Sequence, residues 1–165
     1  MYSLKNPAKH LTQAAAIAAI YIILSFVFQP ISFGAVQCRI PELLTVLPVF
    51  TPAAVPGLFA GCLLSNLLMG GALPADIVFG SLATLIAAFL TRKLRKNKLI
   101  ALIPPVVVNA VVVGTYLHQL VSPEISLWVN MGLVFLGQLG SCYLLGYPLS
   151  LLLERYRGQL FGQEK

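Results

Sequence analysis

Residues 42–76 read ELLTVLPVFTPAAVPGLFAGCLLSNLLMGGALPAD, which is 33 consecutive uncharged residues held between Glu42 and Asp76. About 20 apolar residues cross a bilayer as a helix, so this stretch is long for one crossing and tight for two. Pro48, Pro52 and Pro56 favour two. Each removes a backbone donor and restrains the residue before it. The reading is a short helix over 42–51, a turn at Thr51-Pro52 and a second helix over 53–69.

Outward from that stretch, residues 10–38, 99–123 and 125–153 also carry no Asp, Glu, Lys or Arg. They supply spans over 11–28, 99–121 and 127–153, and a further span is read over 76–91. The first ends at Gln29-Pro30, and the fifth holds Pro104-Pro105 near its start. The segment 29–41 is too apolar for an ordinary solvated loop and is expected to fold back over the protein. The expected fold is an all-α membrane protein, a six-transmembrane-helix bundle forming one domain over 1–165. Charge placement tests the count, because cytoplasmic loops favour Lys and Arg. With the N-terminus inside, six spans put Lys5, Lys9, the cluster 92–98, Arg155, Arg157 and Lys165 on one side, ten of the eleven basic residues. Only Arg39 falls opposite. A single span over 42–69 would move the 92–98 cluster away from the N-terminus, so N- and C-termini are both expected to be cytoplasmic.

Composition agrees with a membrane setting: 58% of the 165 residues are hydrophobic, 10% are charged, and the mean hydropathy is +0.88. A soluble domain carries about 25% charged residues, so a water-soluble enzyme is not expected. The net charge of +6 would suggest nucleic acid in a soluble protein. Here the basic residues sit between apolar runs without interleaved aromatics, and no nucleic-acid partner is expected. Cys38, Cys62 and Cys142 form no CxxC, which argues against a disulfide framework or a zinc site. The apolar stretch running to Phe28 is read as a first span rather than a cleavable signal. The chain holds no H-E-x-x-H, G-x-S-x-G or phosphate-binding G-x-x-x-x-G-K-[ST]. No catalytic activity, cofactor or metal is expected, and a Cys38–His118 nucleophile and base pair is a remote alternative. Any ATP-driven process would need another subunit.

Glu42, Asp76, Glu124 and Arg39 all fall on the outward side of this topology, whereas Glu154 and Glu164 fall on the other. Ionisable groups in or near a span are costly and tend to be paired, watered or functional. Two readings stay open. The acids are solvated helix ends, or they line an outward pocket for a cationic or N–H-rich ligand that an Arg39–Glu42 ion pair closes. The amides Gln37, Asn66, Asn109, Asn130 and Gln138 offer both donors and acceptors, which suits the edge of a heterocycle and equally suits bracing between helices. Ala14 with Ala18 and Ala15 with Ala19 form two small-xxx-small pairs on adjacent stripes of the first span. Such faces let backbones approach closely, either inside the bundle or against another membrane subunit.

Several blocks in order, residues 30–42 (PISFGAVQCRIPE), 57–66 (GLFAGCLLSN), 76–85 (DIVFGSLATL) and 104–109 (PPVVVN), resemble the QueT family. The likeness extends over about 11–153. It implies the substrate-binding S component of an energy-coupling factor transporter in a prokaryotic plasma membrane, with a transmembrane coupling subunit and two ATPase subunits as partners. The first-helix alanines Ala14, Ala15, Ala18 and Ala19 would meet the coupling subunit, and the loop 29–41 would gate the ligand. The implied ligand is a queuosine precursor, queuine or a 7-deazaguanine such as 7-aminomethyl-7-deazaguanine. For such a ligand, Glu42 or Asp76 would accept from the ring N–H and exocyclic amine while the other meets the ammonium. Gln37, Asn66 and Asn109 would read the remaining edge, and Phe33 or Tyr116 would stack on the ring. The same scaffold with a different small ligand, such as a vitamin, is the alternative.

Overall fold

A computed structural model describes residues 7–32, 39–69 and 74–161, and every regular element within them is helical. Helix α1 (Pro7–Val27) begins with proline at its first position, where the missing N–H has no helical partner to lose. A one-turn helix, Gln29–Ser32, follows it. Next come α2 (Ile40–Val49), α3 (Ala54–Leu68), and α4 (Ser81–Lys93), which continues a π-helical turn at Asp76–Gly80. Then come α5 (Lys98–Leu120) and α6 (Leu127–Arg155), the latter carrying a π-helical stretch at Gly140–Gly146, and a one-turn helix, Arg157–Leu160. Helices α1, α5 and α6 are long and apolar enough to cross a membrane, while α2 and α3 are apolar and shorter.

The short second helix differs in kind from an ordinary span. It is a 3-10 helix with Pro41 in its first turn and Pro48 inside it. The tighter winding draws ten residues out to roughly 20 Å, against roughly 15 Å for an α-helix. Eight of the ten are buried, and α1, α3, α4, the start of α5 and the second half of α6 all pack on it. Apart from Glu42 and Thr45 its side chains are apolar, and a helix apolar on most sides belongs in a core, so α2 is the central rod of the bundle.

Side-chain ties place the helix ends. Thr51 donates to Gln13 at 3.1 Å, Arg92 donates to the carbonyls of Pro48 and Val49 at 3.1 and 3.3 Å, and Lys98 pairs with Glu154 at 3.1 Å. Phe50 stacks on Phe161 with ring centroids 5.6 Å apart. The beginning of α1, the end of α2, the end of α4, the start of α5 and the end of α6 therefore share one end of the bundle, beside the basic cluster. Tyr21, Arg39, Asp76 and Tyr116 meet toward the other end.

Close packing between helices rests on small residues. A Cβ added to Gly57 would lie 2.8 Å from the Ala14 carbonyl oxygen, and one added to Gly61 would lie 3.1 Å from the Ala18 Cα. The Ala14–Ala18 stripe of α1 is thus seated against the Gly57–Gly61 stripe of α3. Ala15 and Ala19 remain exposed on the neighbouring stripe.

The surface between the ends is apolar. Ile23, Phe26, Leu67, Phe79, Ile86 and Leu136 are each exposed by 45% or more. The interior meanwhile holds Thr45, Ser65, Asn66, Thr84, Asn109 and Gln138. Such a broad exposed apolar surface around a polar interior is unfavourable in water and suits lipid.

Candidate functional site

Between Lys9 and Arg92 the sequence has only three charged side chains, Arg39, Glu42 and Asp76. The fold gathers all three inside the bundle. Arg39 precedes α2, Glu42 is in its first turn, and Asp76 opens the π-helical turn before α4. Glu42 and Asp76 are each 1% exposed and Arg39 is 7% exposed. Solvated helix ends therefore do not describe these two acids, although they do describe the exposed Glu124.

The Arg39 Nη2 lies 2.6 Å from Asp76 Oδ1, and the Tyr116 hydroxyl donates to the same oxygen. Asn66 Nδ2 donates to the Asp76 main-chain carbonyl at 2.8 Å. Glu42 sits in a separate set of contacts. The Tyr21 hydroxyl donates to its Oε1 at 2.7 Å, and Asn109 Nδ2 donates to its Oε2 at 3.4 Å. The ion pair expected between Arg39 and Glu42 is therefore corrected to Arg39 and Asp76. Arg39 has extended backbone, φ −81° and ψ 96°, just before α2, so the three-residue spacing does not stack its side chain over Glu42 as it would within a helix.

Two irregular helical turns border this cluster, and π-turns are frequent at functional sites. In the first, a Cβ built on Gly80 would lie 3.7 Å from both Arg39 Nη1 and Asn66 Nδ2, so this turn forms one wall. In the second, Gly146 abuts the Leu43 carbonyl oxygen, 3.1 Å from a built Cβ. The Cys142 thiol lies 3.7 Å from the Glu42 carbonyl oxygen and 3.6 Å from Gln138 Oε1. Gln138 thus stands behind α2, near the main chain of Glu42.

A cleft lined by Tyr21, Ser25, Arg39, Ser65, Asn66 and Met69 leads to the cluster between the ends of α1 and α3. Sequence reading passed over Tyr21, Ser25 and Ser65. A signal was present, since Tyr21 and Ser25 are four residues apart and put two polar atoms on one face of an otherwise apolar span.

The structure brings together Arg39, Glu42, Asn66, Asp76, Asn109 and Tyr116, with Gln138 adjoining. Tyr116 enters as a hydroxyl donor to Asp76. Asn130 lies elsewhere: it accepts from Ser122 Oγ at 3.0 Å and donates to the Ile125 carbonyl at 3.2 Å, bracing the turn between α5 and α6. His118 contacts the same carbonyl at 2.8 Å. Phe33, Gln37 and Cys38 lie outside the described residues. Among the described residues, no group of three or more His, Cys, Asp or Glu is placed to hold a metal ion.

Apolar outside, charged and amide-lined inside, with a cleft leading inward, the chain is a membrane protein with an internal polar site. A family model described as QueT transporter matches residues 11–155, and the chain belongs to that family. No curated protein and no solved structure matches it.

Proposed function

We propose that this chain is the substrate-binding S component of an energy-coupling factor transporter that takes up a queuosine precursor, queuine or a 7-deazaguanine such as 7-aminomethyl-7-deazaguanine. The family supports a transport role. The observation that carries the ligand class is the buried set of two carboxylates, one guanidinium and two amides at Glu42, Asp76, Arg39, Asn66 and Asn109. Carboxylates and amides in a lipid-shielded interior match a ligand rich in N–H donors with one carbonyl edge, because carboxylates accept and amides both donate and accept.

In this reading six helices span a prokaryotic plasma membrane with both chain ends cytoplasmic. Support comes from the shared end of the bundle occupied by the start of α1, the end of α6 and the basic cluster before α5, in line with the bias of cytoplasmic loops toward Lys and Arg. The 3-10 helix α2 counts as a crossing because the surrounding helices screen it from lipid. Energy comes from two ATPase subunits through a transmembrane coupling subunit, since the chain has no phosphate-binding loop. The coupling subunit docks on α1 along Ala15 and Ala19, the exposed stripe.

The test is ligand binding to the detergent-purified chain, by calorimetry or thermal shift, against queuine, 7-aminomethyl-7-deazaguanine, guanine and a vitamin panel. Submicromolar to micromolar binding of a deazaguanine, absent with guanine and the vitamins, is the expected result. Binding of a vitamin alone would keep the scaffold and overturn the ligand.

A further inference from the structure

We infer that Glu42 is the residue that selects for a positively charged ligand, and that Asp76 is not. The inference rests on the binding role proposed above and divides the labour of its two carboxylates. Counting charge in the cluster gives one cation, Arg39, against two acids, Glu42 and Asp76, and no other charged side chain occurs between Lys9 and Arg92. The cation is committed: Arg39 pairs with Asp76 at 2.6 Å. Asp76 also receives the Tyr116 hydroxyl, and its main-chain carbonyl receives the Asn66 amide.

Glu42 is as deeply buried as Asp76, but its two described side-chain donors, Tyr21 and Asn109, are both neutral. An ionised carboxylate inside a bundle is stabilised far more by a charged donor than by neutral ones. With Glu42 ionised the site is one positive charge short, and the shortfall is at Glu42. A ligand bearing one ammonium supplies it; a neutral ring of the same shape does not.

Access is consistent with this role. Tyr21 lines the cleft and its hydroxyl donates to Glu42, so one side chain belongs both to the cleft wall and to the contacts of the carboxylate. Rotation of one aromatic side chain gives an incoming ammonium the position that the hydroxyl holds. Asp76 differs in the charge of its donors: one of them is a guanidinium, whereas both donors to Glu42 are neutral.

The experiment compares 7-aminomethyl-7-deazaguanine, a cation at neutral pH, with its uncharged isostere 7-hydroxymethyl-7-deazaguanine, by calorimetry on wild type, Glu42→Gln and Glu42→Asp. Hydrogen bonds to charged groups set the scale, so the wild type should prefer the cation by about tenfold or more. Glu42→Gln keeps the shape and the Asn109 and Tyr21 neighbours, and should bring the two ligands to within about threefold. Glu42→Asp retains the charge and should keep the preference even if both affinities fall. Equal binding of the two ligands by wild type overturns the inference and leaves the transport reading intact. So does a cation preference that survives in Glu42→Gln or vanishes in Glu42→Asp. Failure of wild type to bind either ligand overturns this inference, and the queuosine-precursor reading falls with it when queuine is not bound either.

Discussion

The guanidinium of Arg39 and the carboxylate of Asp76 meet at 2.6 Å with side chains only 9% and 2% exposed, tying the entry to α2 onto the turn that opens α4. Removing one member of a buried ion pair strands the other, at a cost of roughly 3–5 kcal/mol. Arg39→Met and Asp76→Asn should each lower the thermal unfolding midpoint in detergent. The double variant should be more stable than the sum of the two single losses predicts. Additive losses would show that the pair is not coupled in the folded protein.

Gly61 and Gly132 make a second, paired prediction. A Cβ on Gly61 would lie 2.7 Å from the Tyr21 Cβ, whereas one on Gly132 meets nothing within 4 Å. Gly61→Ala should cost roughly 1–3 kcal/mol as α1 and α3 are pushed apart. It should also weaken ligand binding, because Tyr21 carries the hydroxyl that meets Glu42. Gly132→Ala should be neutral or stabilising by up to about 1 kcal/mol, through helix propensity alone. Denaturation monitored by circular dichroism in one detergent separates the two.

The all-helical membrane architecture was legible because it follows from additive quantities: hydropathy, the spacing of charges, and prolines that interrupt helices. The break between α2 and α3 falls where Thr51-Pro52 stands. The winding of α2 was not legible, since sequence marks where a helix stops more clearly than how tightly it coils, and the 3-10 form depends on burial by five surrounding segments. The site was half legible. Unusual residues in apolar stretches, Glu42, Asp76, Asn66 and Asn109, announced themselves by composition. Pairing did not, because Arg39 lies three residues from Glu42 in the chain yet bonds Asp76, 37 residues away. Tyr21 was overlooked because a tyrosine in a span looks like packing until its hydroxyl is seen on a carboxylate.

Orientation in the membrane is open to a labelling test. Lys96 and Glu124 are both exposed, and they lie at opposite ends of the bundle. Cys62 and Cys142 are fully buried, so replacing Cys38 with Ser should leave a background that reacts little with maleimide. In that background, cysteine introduced by Glu124→Cys should react with a membrane-impermeant maleimide on intact cells. Cysteine introduced by Lys96→Cys should react only after the membrane is opened. The reverse pattern would invert the proposed topology, and equal labelling on intact cells would contradict the alternation of helices.

Ala18 and Ala19 are adjacent in sequence and fall on different stripes of α1, which lets packing and docking be tested apart. Ala18 is buried, and a Cβ on Gly61 would come within 3.1 Å of its Cα. Ala18→Leu should therefore destabilise the isolated chain by roughly 1–3 kcal/mol, as overpacking does. Ala19 faces outward, so Ala19→Leu should leave unfolding and ligand affinity within about twofold of wild type, because it disturbs no internal contact. If the exposed stripe receives a coupling subunit, the same Ala19→Leu protein should lose co-purification with that subunit and lose transport in cells, since a small face lets two backbones approach and a leucine holds them apart. Retained co-purification in Ala19→Leu and Ala15→Leu together would remove this stripe as the docking surface and leave the α1 alanines with their internal role against Gly57 and Gly61.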